Sequence, residues 1–208
     1  MVWIGSDARR VVAEPEFKTG IKPMSSRNKF LLMLGFFAAP MLAAWIAYFG
    51  WHPDRHKNYG SLLPVAPLTD VQGTLLGGTP FKLDALKGKW LMVYAGDAGC
   101  DANCVKQLYY MRQVRLSLGK DQDRVERVWV LTGSGMPDPR LIKEHPGLRV
   151  WRPDHPAFPD QFPGTRPGSH FLYLVDPLGN VMLRFPENLD PKGVIKDMKL
   201  LLKASQIG

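Results

Sequence analysis

A run of 22 residues without a charged side chain, FLLMLGFFAAPMLAAWIAYFGW at positions 30–51, constrains this chain of 208 residues more than any other feature. As a helix that rises 1.5 Å per residue it would reach about 33 Å, enough to cross a hydrocarbon layer of about 30 Å. A cleaved signal peptide is the alternative, but its apolar core usually spans only about 7–15 residues before a small-residue cleavage site. The run therefore predicts a retained transmembrane helix over residues 30–51.

Basic residues flank this run unequally. Four of them precede it closely and two follow it, namely Lys18, Lys22, Arg27 and Lys29 before it, and Arg55 and Lys57 after it. The flank richer in lysine and arginine is normally retained in the cytoplasm. We therefore expect a protein of the bacterial inner membrane with a cytoplasmic segment at 1–29 and with its C-terminal domain in the periplasm. That compartment is oxidising, so a cysteine pair there can persist as a disulfide.

The charge of the chain does not point to a nucleic-acid partner. The net charge is +8, of which residues 1–29 contribute +3, and the remainder is spread without a run of like charges. The sequence contains neither helix-turn-helix nor zinc-finger spacing. The membrane is the partner that the sequence predicts directly.

The part of the chain beyond the apolar run reads as a short tether, 52–65, followed by one α/β domain, 66–208. A buried strand is predicted at 90–94, a second one at 124–132 and a short one at 148–151. The stretch HFLYLVDPLGNVMLRF, residues 170–185, predicts two strands joined by a turn.

Helices are predicted between these strands. After Cys104, apolar residues recur at intervals of three and four, namely Val105, Leu108, Met111, Val114 and Leu118. A short helix is predicted at Pro139–Glu144, and a last helix begins after Asp190, with Pro191 at its first position. The order is β-α-β-(α)-(β)-β-β-α, with a proline-rich loop at 152–169 that is too long for a mere connection.

Both cysteines lie between the first core strand and its helix, in AGDAGCDANCVKQL at 95–108. Three residues separate Cys100 from Cys104, so on a helix their sulfurs would lie at positions i and i+4 of one face. Such a pair can form a disulfide, exchange thiols as a redox-active pair, or offer two thiolates to a soft metal such as Cu(I). We expect Asp101 or Asn103 to cap the helix.

This order of elements around a cysteine pair resembles the thioredoxin fold. The phrases GTPFKLDALKGKWLMVYAGDAGC and HFLYLVDPLGNVMLRF are similar to the entry and the closing hairpin of membrane-anchored thioredoxin-like proteins. Cys-x-x-x-Cys after a strand, behind an N-terminal anchor, resembles the Sco/SenC family, which assembles the dinuclear copper centre of cytochrome c oxidase. The resemblance implies copper held by Cys100, Cys104 and His170, with cytochrome c oxidase subunit II and a thiol reductant as partners.

Two positions depart from the pattern of that family. Val105 stands where the family has proline after the second cysteine, and His170 lies about two residues closer to the hairpin turn than the histidine of the family. The second position is where reducing thioredoxin relatives have a cis-proline. A periplasmic thiol-disulfide oxidoreductase and a thioredoxin-like scaffold without metal therefore remain alternatives. We expect His145 and His155 in turns, and His52 and His56 in solvent near the membrane.

Overall fold

The computed structural model describes residues 25–50, 58–205 and 207, and the chain divides between residues 55 and 56 into two units. The described residues of the first unit form helix α1 (Ser26–Gly50), which covers nearly all of the apolar run. By length and composition it can cross a membrane, and none of its residues is buried. Most of the predicted cytoplasmic segment and the start of the predicted tether, including His52 and His56, lie outside the described residues.

The second unit is built on one sheet of eight strands in the order β1-β8-β7-β4-β5-β6-β2-β3. Strand β4 runs parallel to β5, and β5 runs parallel to β6, whereas β7 and β8 add an antiparallel hairpin on the other side of β4. The strands are β1 (Ser61–Pro67), β2 (Gln72–Leu75), β3 (Pro80–Lys82), β4 (Trp90–Asp97), β5 (Val125–Thr132), β6 (Leu148–Pro153), β7 (Leu172–Val175) and β8 (Asn180–Phe185).

Both faces of this sheet are covered. Helices α2 (Ala102–Ser117) and α4 (Pro191–Ala204) pack on one face, and the aromatic side chains of the loop after β6 pack on the other. A third, short helix, α3 (Pro139–Glu144), lies between β5 and β6. Because β4 is buried on both sides, it reads as a continuous apolar run. Its Tyr94 belongs to the cluster under α2.

Local signals in the sequence located most of these elements. The hairpin of β7 and β8 forms at the predicted place, and α3 has the predicted bounds. Asp190 caps α4 by accepting a hydrogen bond from the N–H of Lys192, with Pro191 at the first helical position. In α2 one position of the predicted apolar stripe is wrong, because Val105 is 39% exposed and the buried face includes Gln107 instead.

Strand β1 lies largely inside the segment for which the sequence predicts a tether. It is an edge strand that pairs with β8 alone, and its register shifts between Leu62 and Ala66, around Pro64. Proline is tolerated in such an edge strand because the side without a partner strand needs no backbone N–H for pairing. Since nearly all of its residues are exposed, β1 lacks the alternation of buried and exposed residues by which a strand is recognised.

Candidate functional site

Strand β4 ends at the turn that carries the cysteine pair. Cys100 and Cys104 form a disulfide, with their Cα atoms 5.1 Å apart. Cys100 precedes α2 and has φ +29°, an uncommon backbone conformation for a residue with a side chain. Cys104 lies in the first turn of α2 and is only 2% exposed. Because Cys100 lies outside the helix, the two sulfurs do not share one helix face as the spacing predicts, and Cys100 is the more exposed of the two cysteines.

Two aspartates shape this turn. Oδ1 of Asp97 accepts a hydrogen bond of 2.7 Å from the N–H of Gly99. Oδ1 of Asp101 accepts one of 2.9 Å from the N–H of Cys104, so Asp101 is the N-cap of α2. The predicted capping role thus falls to Asp101, and Asn103 lies inside the helix.

His170 lies two residues before β7, beside the turn, and is 8% exposed. Its Nε2 is 3.3 Å from Oδ2 of Asp101, and its Nδ1 is 2.9 Å from the hydroxyl of Tyr94. The rings of Tyr94 and His170 are nearly parallel, with an interplanar angle of 8°. The backbone N–H of His170 donates to Oε1 of Glu187 at 3.3 Å. While the disulfide is closed, Nδ1 is therefore hydrogen-bonded to Tyr94 and Nε2 faces the carboxylate of Asp101.

Tyr94 is buried under these groups. Burial raises the pKa of its hydroxyl, and the nearby carboxylates of Asp101, Asp97 and Glu187 raise this pKa further, so the hydroxyl remains protonated. Gly96 leaves room for it, because a Cβ at that position would lie 2.6 Å from the Tyr94 oxygen.

A cleft of about 1120 Å³ opens over the disulfide. It lies at the carboxyl ends of β4 and β5, the edge of an α/β sheet where ligands usually bind. Cys100, Cys104 and His170 all line it, so the structure brings the three predicted site residues to one place. The opposite wall is the proline-rich loop of residues 152–169. The charged residues that line the cleft are Asp97, Asp101, Arg152, Asp154, Asp160 and Arg166.

Within the described ranges, no three or more His, Cys, Asp or Glu side chains are gathered as a metal site. In the closed state each sulfur is bonded to the other, Nδ1 of His170 is hydrogen-bonded to the hydroxyl of Tyr94, and Nε2 faces the carboxylate of Asp101 at 3.3 Å. After reduction, two thiolates and one imidazole are a donor set that suits copper. The residues present therefore fit a copper ion in the reduced state.

Two roles in this site were not predicted from the sequence. Tyr94 reads as one more apolar residue of β4, and the only available signal is its place near the end of that strand, just before the cysteine turn. Asp101 reads as a helix cap, and nothing local indicates its contact with His170. Of the other histidines, His145 ends α3 and is buried, whereas His155 lies exposed in the long loop.

Comparisons with known proteins agree with this fold. The family model described as "Transmembrane-like, thioredoxin-like, C-terminal domain" matches residues 90–205. The structure of apo Sco1 from Thermus thermophilus is 20% identical, covers 72% of this chain and 99% of that chain, and has a TM-score of 0.56. Yeast Sco1 with copper bound is 19% identical, covers 68% and 91%, and has a TM-score of 0.54.

A third solved structure is the thioredoxin domain of a thiol-disulfide oxidoreductase from Bacteroides vulgatus, with 20% identity, coverage of 68% and 99%, and a TM-score of 0.53. A comparison with curated protein sequences finds no match. The predicted thioredoxin-like fold is confirmed. The predicted likeness to Sco proteins is confirmed in the fold, across divergent sequences.

Proposed function

The chain belongs to the transmembrane-like, thioredoxin-like C-terminal domain family, and from that premise we propose that it is a membrane-anchored copper-carrying thiol protein that assists assembly of the copper centre of cytochrome c oxidase. The observation that carries this proposal is the meeting of Cys100, Cys104 and His170 at one cleft. Two proteins of the same fold are Sco1 proteins, one of them with copper bound.

Copper is the cargo in this proposal, and the disulfide controls its binding. A dithiol reductant transfers two electrons and two protons to the Cys100–Cys104 bond and itself becomes a disulfide. The two thiols then lose their protons and bind Cu(I) as thiolates. The N–H groups and the dipole at the start of α2 stabilise a thiolate at Cys104. The imidazole of His170 adds a nitrogen ligand, which Cu(II) prefers more strongly than Cu(I) does.

The proposed organisation follows the sequence. Residues 1–29 lie in the cytoplasm, 30–51 cross the bacterial inner membrane, and the predicted tether 52–65 leads to the domain at 66–208 in the periplasm. The last residues of this tether join the sheet as β1. The oxidising periplasm would keep the cysteine pair closed, so a thiol reductant is the first partner. Subunit II of cytochrome c oxidase is the proposed recipient of the copper.

A second candidate function is thiol-disulfide exchange without metal. The observation that favours it is the asymmetry of the disulfide, in which Cys100 is partly exposed and Cys104 is buried. An attacking thiolate would form a mixed disulfide with Cys100 and release Cys104 as the thiolate. One protein of the same fold is a thiol-disulfide oxidoreductase.

An anaerobic Cu(I) titration of the reduced full-length protein in detergent separates these functions. The thiols are counted before and after the titration, and a Cys100→Ser/Cys104→Ser variant serves as the matched control. One tight equivalent of Cu(I), absent from the control, with two thiols protected, supports the copper carrier. A chain that binds no Cu(I) tightly but exchanges its disulfide readily with dithiols is an oxidoreductase instead.

The role of His170 is tested by His170→Ala. The variant should bind Cu(II) more weakly and with a changed absorption spectrum, while part of the Cu(I) affinity remains because the two thiolates are intact. An unchanged Cu(II) affinity and spectrum in a folded variant would remove His170 from the copper site.

A further inference from the structure

We propose that His170 exists in two tautomers, that Asp101 holds it in the one that cannot ligate through Nε2, and that Tyr94 is the positioning residue that supports both. The purpose of this switch rests on the proposed copper function. The switch itself is a property of the metal-free protein, so it can be tested without copper.

The two groups that face the ring nitrogens of His170 select one tautomer while the disulfide is closed. A carboxylate oxygen attracts an N–H and repels a lone pair, so the nitrogen that lies 3.3 Å from Oδ2 of Asp101 carries the hydrogen. In a neutral imidazole the other nitrogen is then an acceptor, and the hydroxyl of Tyr94 donates to it at 2.9 Å. The lone pair of the ring therefore points at Tyr94, and Nε2 has none to offer a metal.

The second tautomer needs no rearrangement of Tyr94. A phenolic hydroxyl both donates and accepts, so the same oxygen can accept a hydrogen bond from Nδ1–H after a rotation of its own hydrogen. Tyr94 is buried and lies parallel to the ring of His170, which keeps the oxygen in place in both states. One proton leaves Nε2 for water and one reaches Nδ1 from water, so the charge of the ring does not change. Nε2 then carries a lone pair for copper.

Of the two side-chain contacts of His170, the one with Asp101 opens when the disulfide is reduced. The side chain of Asp101 is 60% exposed, whereas Tyr94 is 1% exposed and fixed in the core. The other oxygen of Asp101 is bonded to the N–H of Cys104, so a movement of the cysteine turn on reduction reaches this carboxylate directly. With the disulfide closed, Nε2 of His170 therefore carries a hydrogen and cannot bind copper. With the thiols reduced, Nε2 offers its lone pair.

Asp101→Asn is the sharpest test, because it should invert the tautomer. The amide oxygen can still cap α2 at Cys104, while the amide NH₂ replaces Oδ2 and donates to Nε2, which must then accept. Full-length protein with ring-¹⁵N histidine, oxidised and metal-free, is compared by long-range ¹H–¹⁵N correlation, with His170→Gln to assign the signal. We expect hydrogen on Nε2 in the wild type and on Nδ1 in Asp101→Asn. The same tautomer in both proteins would overturn the switch.

Tyr94→Phe tests the positioning role. It removes the acceptor for Nδ1–H, so the reduced protein should lose about 10–100-fold in Cu(II) affinity, the usual effect of deleting the partner of a ligating histidine. Cu(I) affinity should change less. The matched control is Tyr173→Phe, because Tyr173 is equally buried and its hydroxyl bonds Thr165 and the carbonyl of Pro163 instead. An equal loss of Cu(II) affinity in both variants would overturn the role of Tyr94.

The two readouts separate this inference from the proposed function. An inverted tautomer in Asp101→Asn, in a protein without copper affinity, supports the switch and contradicts the copper carrier. Tight copper binding by a protein whose tautomer is the same with Asp101 and with asparagine supports the carrier and contradicts the switch.

Discussion

Nε2 of His170 lies 3.3 Å from Oδ2 of Asp101, and the other oxygen of that carboxylate accepts a hydrogen bond of 2.9 Å from the N–H of Cys104. One side chain therefore joins the loop before β7 to the first turn of α2. The cysteine pair and the imidazole are coupled through this carboxylate, although β5 and β6 lie between them in the sequence.

Asp101→Ala should lower the free energy of unfolding by about 1 kcal/mol, because the N-cap of α2 is lost. Asp101→Asn should lower it much less, since asparagine caps helices about as well as aspartate does. Urea unfolding of the full-length protein in detergent, with the disulfide kept closed, measures both. Equal losses in the two variants would mean that the carboxylate charge, and not the cap, supplies the stability.

Protein purified in air should have a mass lower by two hydrogens than the fully reduced chain, because Cys100 and Cys104 are joined. Reduction should leave the domain folded and cost less than the roughly 3 kcal/mol expected for a 15-residue loop, since the loop closed here is much shorter. Mass spectrometry after alkylation measures the first effect, and urea unfolding with and without reductant measures the second. Two freely alkylated thiols under air would contradict the disulfide.

Stability should fall as the pH drops below about 6.5, in part because of His145. Burial, with the nearby charges of Arg112 and Arg127, lowers the pKa of His145 in the folded protein from its ordinary value of 6.5. Below that value the unfolded chain binds a proton that the native protein does not, so protons favour unfolding. The loss ends once the pH is low enough for His145 to be protonated in the folded protein as well.

His145→Gln should flatten this part of the stability curve between pH 7 and pH 5. His155→Gln is the matched control, because His155 is exposed in a loop, and the variant should keep the wild-type slope. The free energy of unfolding is measured in urea at several pH values. The same slope in His145→Gln as in the wild type would show that other groups cause the acid sensitivity.

The sequence predicted those parts of the fold that depend on neighbouring residues. The hairpin of β7 and β8 follows from a turn between two apolar strands, and α4 begins where Asp190 and Pro191 together favour a helix start. The pair of cysteines was found because two thiols one turn apart are visible in any window of the sequence.

The contacts that shape the site are long-range and carry no local signal. Tyr94 and His170 are 76 positions apart, and Gly60 donates its N–H to the buried carboxylate of Asp197 across 137 positions. Only the folded sheet brings these pairs together. Asp197 is buried among the apolar residues of α4, where its carboxylate accepts the hydrogen bond of the residue that leads into β1.

The C-terminal domain should lie on the periplasmic side of the membrane, because the basic residues that closely precede the apolar run at 30–51 outnumber those that follow it. A reporter enzyme that is active only in the periplasm, fused after Gly208, should be active. The same fusion with a reporter that is active only in the cytoplasm is the control. Activity of the cytoplasmic reporter alone would contradict this orientation.

Gly193→Ala should destabilise the domain, although glycine-to-alanine changes inside helices usually stabilise by roughly 0.5–1 kcal/mol. A Cβ at this position of α4 would overlap the ring of Tyr59. Tyr59 stacks on Phe185, and its hydroxyl accepts a hydrogen bond of 2.6 Å from the N–H of Asp190, so the ring cannot move without losing these contacts.

The sign of this effect should reverse when Tyr59 is absent. In a Tyr59→Ala background the added methyl group meets no ring, and the same Gly193→Ala change should raise the free energy of unfolding through helix propensity alone. Urea unfolding of the wild type, both single variants and the double variant gives the coupling between the two positions. Additive effects would mean that the segment before β1 does not pack on α4. A reversed sign would show that Tyr59, in that segment, packs against this helix.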